Sequence, residues 1–370
     1  MKKISALVLA LAMCMALVSC GGGDTSTPST STPDASTPDA STSTPSEGGA
    51  DYSSLDPVQL IGADSSAANA AAQLFGEMVA EKLDTITGGQ LTMDYFPNGE
   101  LGADTDLLRQ LQSNDIQIAV MQVAPVTSFV PDAAVYDLPM MFATYDGATI
   151  DAVINNPESQ FYQGLGASFN EAGFQLLGTL QNATFRMTTA NRDLQTLADY
   201  EGMLIRTMEN PNHMALWEAM GAAPTPMAWN EVYFALQSGN IEAEENAADT
   251  IVGSNLNEVQ SHLAMTNHIL YANMMIMNKD VYDSLDPLYQ DALNQAVSES
   301  LTEMSAQLAD IEATNLGTLK ERGMTIIEYG PEFFEEVLAL PGVQQLYTDI
   351  NEQTDGLAQI LQDELAAAAG

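Results

Sequence analysis

Two arginines stand in apolar company. Arg206 lies in Met203-Leu204-Ile205-Arg206-Thr207-Met208, and Arg186 lies in Thr184-Phe185-Arg186-Met187-Thr188. A guanidinium keeps its proton at physiological pH and presents a rigid fork of N–H donors, so inside an apolar strand it must find an anion or several acceptors. The fork matches a carboxylate as two parallel charge-assisted hydrogen bonds, a geometry lysine cannot reproduce. Cations are scarce here: apart from Lys2 and Lys3, five arginines and three lysines face fifty acids. Either the two arginines face a cleft and hold the carboxylate of a small molecule, or each pairs with an acid of the chain itself. Their placement in apolar strands points to the cleft.

Other chemistry finds little support. The chain has no Gly-x-Ser-x-Gly elbow, no His-Glu-x-x-His and no phosphate loop, and Gly164-Leu165-Gly166 lacks the third glycine of a dinucleotide fingerprint. His213, His262 and His268 show no ligand spacing, so no metal and no cofactor is expected. Paired carboxylates carry almost no information in so acidic a chain. The expectation is a binding protein and not an enzyme. A surface-attached hydrolase acting on acidic sugars is the rival from another class.

The elements that must position these residues read as α/β. Leu60-Ile61-Gly62 is a short strand, and a helix from near Ala68 to Leu83 follows, with Leu74, Phe75, Met78 and Val79 on one face. Leu91 to Phe96 alternates as a strand, Leu107, Leu108 and Leu111 mark a helix, and Ile116 to Val120 returns as a buried strand. That βαβαβ spacing predicts a largely parallel sheet covered by helices. Helices near Tyr145 to Ile154 and Gln160 to Ala172 precede a strand at Phe174 to Leu177. Beyond the arginine strands, Pro211 starts a helix, Asn230 is placed to cap another, and Ile241 to Glu245 is a polar strand. His268 to Met277 is a long apolar strand, and Pro287 to about Arg322 a periodic helix that at about 1.5 Å per residue spans two lobes. A strand at Met324 to Tyr329 and two helices close the chain.

The ends are of another kind. Lys2 and Lys3 precede an apolar run from Ile4 to Leu17 and a Leu-Val-Ser-Cys ending at Cys20, which reads as a signal segment too short for a lasting membrane span. That ending resembles a bacterial lipobox, which implies diacylation of Cys20 and a lipid anchor on the outer face of the cell membrane. Cys14 leaves with the signal, so the mature chain has no internal disulfide. Residues 21–54 form a Ser/Thr/Pro linker expected to be disordered, about 30 Å across as a flexible coil. The globular remainder exceeds the size at which single cores stop growing, so two lobes are expected. Formal charge is −40, which makes nucleic acid and anionic lipid poor partners for the surface. Screening within about 8 Å keeps that surface from deciding what a desolvated arginine contacts directly.

Two blocks carry a resemblance. Gly221-Ala222-Ala223-Pro224-Thr225-Pro226-Met227 with Glu231 to Gln237, and Glu258-Val259-Gln260 with Leu263 to Leu270, resemble the solute-binding proteins of TRAP (tripartite ATP-independent periplasmic) transporters, the sialic-acid receptors most closely. Pro97 to Gly102 and Asp199 to Arg206 support the match, which covers nearly all of residues 57–350. The resemblance implies a two-lobed periplasmic-binding-protein-like α/β fold with a hinge and a long lobe-spanning helix. Lobe I would take residues 55–183 and 272–311, and lobe II 184–271 and 312–370. It implies that the receptor closes on its ligand and delivers it to TRAP membrane subunits driven by an ion gradient.

Carried over position by position, Arg206 matches the arginine of the two-pronged salt bridge to the ligand carboxylate, Arg186 a second carboxylate-facing arginine, and Asn246 an amide completing that shell. Trp229 falls where the family sets an aromatic against the ligand, although a tryptophan is as often core. Asp104 and Gln122 fall at polar positions of the first lobe, with Asp104 and Asn246 equally readable as helix caps. Gln122 stands where the sialic-acid receptors have an acid, and Glu242-Ala243-Glu244-Glu245 departs from their Asp-Gly-Gln-Glu. The resemblance leaves the ligand open among a sialic acid, a uronate, a keto acid, an aromatic acid and a C4-dicarboxylate, and a monomer is expected. The alternative receptor is the substrate-binding lipoprotein of an ATP-driven importer, for a neutral sugar or peptide.

Overall fold

The computed structural model describes residues 50–370; the signal segment, Cys20 and most of the linker lie outside the described residues. Within them are a five-stranded sheet of order β2-β1-β3-β10-β4 and a six-stranded sheet of order β11-β9-β5-β8-β6-β7. The first contains β1 (Val58–Asp64), β2 (Leu91–Phe96), β3 (Ile118–Gln122), β4 (Phe174–Leu180) and β10 (Asn273–Asn278). The second contains β5 (Met187–Ala190), β6 (Leu204–Thr207), β7 (Ala223–Pro226), β8 (Ala243–Asn246), β9 (His262–Ala264) and β11 (Thr325–Ile327).

Both sheets are mixed. β1 pairs in parallel with β2 and β3, as the βαβαβ spacing predicts, but β10 enters antiparallel between β3 and β4. A strand returning from the other sheet needs no crossover helix, so its direction is free of the parallel constraint. β10 is also shorter than the apolar run suggests, beginning at Asn273 and not at His268. β7 has the sequence Ala-Pro-Thr-Pro and sits at the sheet edge beside β6, where a proline breaks no ladder.

The helices follow their punctuation. Helix Ala71–Thr87 buries Phe75, Val79 and Leu83 at four-residue spacing and stops at Gly88, whose positive φ of 60° suits glycine. The helix Pro287–Glu321 has 35 residues, an Asp286 side-chain cap accepting from the Leu288 N–H, and proline at its start. It packs on helix Ala71–Thr87 and β4 beside the first sheet and on helix Ala248–Gly253 beside the second. One core joins Phe75, Val79, Leu293 and Val297, and another joins Met187, Leu236, Ile251 and Leu263. Tyr52, counted with the linker, stacks on Tyr289 at 6.1 Å. Three helices close the chain where two were expected: Pro331–Leu338, Pro341–Gln353 and Leu357–Ala369. The last packs on Gly147–Ile154 and Gln160–Glu171, so the segment expected in lobe II also covers elements flanking the first sheet.

Candidate functional site

Arg206 is the third residue of β6, between β7 and β8, and is 3% exposed. Its Nε and Nη2 both donate to the Met227 carbonyl, at 2.9 and 2.7 Å. Its Nη1 is buried with no hydrogen-bond partner. The guanidinium carbon lies 5.4 Å from the centroid of the Trp229 ring. Burial pulls the guanidinium down to about 10, and the nearby Glu245 and Glu244 charges offset only part of this. One backbone oxygen thus holds the fork by one edge and leaves the other edge free.

Arg206 lines a recess bounded by residues of both sheets, among them Asp104, Gln122, Trp229, Asn246 and Asn273. The recess adjoins a wider opening that shares Ser65, Asp104, Arg206 and Trp229 and is also lined by Asn98, Gly99 and Met227. At its rim Thr105 donates to Glu209 at 2.8 Å. Asp104 is the first residue of helix Asp104–Ser113, whose cap position is Ala103, so it does not cap that helix. Its carboxylate accepts from the Ser65 hydroxyl, and burial pushes its pKa up. Trp229 is half-buried and also begins its helix, Trp229–Ser238, so Asn230 lies inside the first turn and the cap position falls to Ala228. Asn246 ends β8 and takes no capping role in helix Ala248–Gly253, whose cap position is Ala247.

Five of the six residues singled out from the sequence therefore meet at one recess. Arg186 stands behind it. It lies one residue before β5 and is 2% exposed, with Nε donating to Glu245 Oε2 at 2.5 Å and Nη2 to Oε1 at 2.9 Å. The expected carboxylate of the ligand is replaced, at Arg186, by a carboxylate of the chain. The remaining donor, Nη1, reaches Gln122 Oε1 and, at 3.4 Å, Asn246 Oδ1, so Arg186 touches the recess wall only through these two amides. The reason is register: β5 and β8 are antiparallel, with Thr188 opposite Glu245 and Met187 opposite Asn246.

The acid run Glu244-Glu245 proves to be the centre of a buried network. Glu245 also meets His268 Nε2 at 3.0 Å and His213 Nδ1 at 3.9 Å, and His213 Nε2 meets Asp137 Oδ1 at 3.2 Å. Burial pushes the Glu245 carboxyl up, but Arg186 and the two histidines outweigh it and hold it well below the usual range. Burial pulls His213 down, yet its hydrogen bond to Asp137 and the nearby Glu245 carboxylate lift it to about 9. Burial and the Glu245 charge push Glu244 up to about 7. Histidines far apart in sequence converge here, although among the described residues no group of three or more His, Cys, Asp or Glu is arranged for a metal ion. Asn273 also went unnoticed in the sequence. A polar residue at the head of the apolar run Met274 to Met277 was the available signal.

Comparison with known proteins places the chain in a family. The family described as bacterial extracellular solute-binding protein, family 7 (DctP), matches residues 60–353. A solute-binding protein of Verminephrobacter eiseniae is 30% identical over 249 residues, 67% of this chain and 73% of its own. The sialic acid-binding periplasmic protein SiaP of Vibrio cholerae is 28% identical over 292 residues, covering 79% and 87%. The crystal structure of the sugar acid binding protein DctPAm from Advenella mimigardefordensis, in complex with galactonate, superposes with a TM-score of 0.78 at 24% identity over 85% of this chain and 99% of that one. A recess between two sheets, and a sequence match running through both of them, lead to one conclusion: the chain belongs to the DctP family of bacterial extracellular solute-binding proteins, the receptors of TRAP transporters.

Proposed function

We propose that this receptor captures a small organic acid by its carboxylate at Arg206 and passes it to TRAP membrane subunits. The observation that carries the reading is the buried, unpartnered Nη1 of Arg206, held at the recess by a fork whose other edge is already satisfied. A buried donor without an acceptor is unfavourable by about 1–3 kcal/mol, more for a charged group, and a ligand carboxylate would remove that penalty. Asn246 and Gln122 complete the shell as amides braced by Arg186, which acts on the ligand through them. Trp229 flanks the guanidinium and the ligand together.

Relatives accord with an acid: SiaP of Vibrio cholerae is named as sialic acid-binding, and the Advenella protein holds galactonate. The chain operates outside the cytoplasm. We further infer a lipid anchor at Cys20, a monomer, and closure of two lobes bounded as the sequence suggests. Binding supplies the closure energy through contacts made only in the shut state. Replacement of Arg206 by Ala should weaken acid binding by about 100-fold or more, since the carboxylate would be desolvated without its partner. Calorimetric titration against a panel of organic acids checks this, and unchanged affinity in that variant would reject the assignment.

A further inference from the structure

Helix Ala71–Thr87 has no cap of its own. Its cap position is Ala70, and no acid stands in its first turn. The first four N–H groups of a helix have no acceptor within it and take one from outside. For Ala71 that acceptor is Asp249, 178 positions away, whose Oδ2 receives the Ala71 N–H at 2.8 Å. The two residues serve different sheets. Ala71 belongs to the core of Leu60, Phe75 and Val79, whereas Ala248 and Ile251, either side of Asp249, belong to that of Met187 and Leu263. Asp249 is itself held firmly. The same oxygen accepts from the Tyr271 hydroxyl at 3.2 Å, and Oδ1 accepts from the Thr250 N–H and hydroxyl at 2.6 and 3.1 Å. One turn further along, Gly253 meets the segment that leads into the capped helix. A Cβ there would lie 2.7 Å from the Ala68 carbonyl oxygen and 3.1 Å from the Ala67 Cβ. Gly253 ends helix Ala248–Gly253 without a positive φ, so close approach and not backbone conformation calls for glycine. Ala67, Ala68 and Gly253 line the wider opening next to the recess.

We propose that these contacts are a latch of the shut cleft: Asp249 caps helix Ala71–Thr87 across the seam when the two sheets draw together, Gly253 lets them draw that close, and both contacts part when the cleft opens. This rests on the closure described above and names contacts that the protein makes with itself, independent of any ligand. A contact present in only one of two states shifts their populations by its own strength. A helix cap typically shifts such an equilibrium about five-fold, enough to favour the shut form without locking the receptor in it. On opening, the Ala71 N–H and the Asp249 oxygen both return to water, so neither is left buried and unpaired.

The test needs no ligand. In the full mature chain, Ala67→Cys with Gly253→Cys places two thiols across the seam, and Cys20→Ser removes the competing one. A separation of 3.1 Å between the two Cβ positions is near the roughly 3.5–4.5 Å that a disulfide takes. The pair should oxidise, and X-ray scattering should give the oxidised protein a smaller radius of gyration than the reduced one. Failure to oxidise, or equal radii, would overturn the proposal. Hydrogen exchange supplies a second reading with single substitutions. The Ala71 amide should exchange about five-fold faster in Asp249→Ala, and at least as much faster in Gly253→Ala, which leaves Asp249 in place, while the Val79 amide of the same helix is unchanged. An Ala71 amide indifferent to Gly253→Ala would show that the two contacts do not open together, and the latch would fall. If the radii are equal but Arg206→Ala abolishes acid binding, this inference falls and the carboxylate reading stands. If the radii differ and no organic acid binds, the latch stands without that reading.

Discussion

Arg186 and Arg206 occupy nearly identical sequence surroundings, and both are buried, yet they end in opposite states. Arg186 spends two nitrogens on Glu245 and the third on amides. Arg206 spends two on one backbone oxygen and keeps the third unpartnered. An opposite charge within a hydrogen bond stabilises a buried cation, whereas a carbonyl only satisfies its protons. The direction of each shift follows: Glu245 outweighs the burial of Arg186 and raises it, while Arg206 is pulled down to about 10. One arginine is paired within the chain, and the other keeps a donor that the proposed function assigns to a ligand.

The contrast can be broken most sharply at the paired arginine. Arg186→Met leaves Glu245 buried without its main counter-charge and should destabilise the fold by about 3–5 kcal/mol, read by urea unfolding. A variant as stable as the parent would show that the pair is not structural. The same network sets a pH dependence. His213 is lifted from 6.5 to about 9 in the folded state, so its contribution is complete below about pH 6.5 and is lost as pH rises through 9. That amounts to roughly 3 kcal/mol at 1.36 kcal/mol per pKa unit. Unfolding free energies at pH 6 and pH 10 should differ by about that much more in the parent than in His213→Gln. Equal differences would remove His213 from the network.

At the other arginine, Arg206→Met should change stability by less than about 1 kcal/mol, because burial already disfavours its charge and little is lost with it. Thermal melts of the unliganded chain check this, and a large loss would make Arg206 structural too. Smallest is Trp229→Leu, which removes a cation–π contact of about 0.5–1 kcal/mol and should weaken acid binding only two- to five-fold. Loss of binding altogether would make the indole a principal contact.

Much of the architecture was legible because its signals are local. Asp286-Pro287 announces the long helix, Gly88 ends another, and the alternation of Leu91 to Phe96 marks β2. The misreadings arose where a partner element decides. The direction of β10 comes from its return between β3 and β4, and Ala-Pro-Thr-Pro can be a strand only at an edge. At the site, Glu244-Glu245 looked like two more acids among fifty, since nothing in the run says which neighbour faces an arginine. Asn273 was hidden in the same way at the head of an apolar run.

Taken alone, the sequence determined where most of the helices and strands fall, that its scarce cations include two in apolar surroundings, and that the chain is strongly acidic. Those properties depend on residue type and on spacing over a few positions. Only the tertiary structure decided that Glu245, fifty-nine positions from Arg186, claims that arginine, and that Arg206 is left with a carbonyl twenty-one positions away. Pairing of buried charges depends on strand register and on which faces close over a cleft, and both are settled only when distant parts of the chain meet.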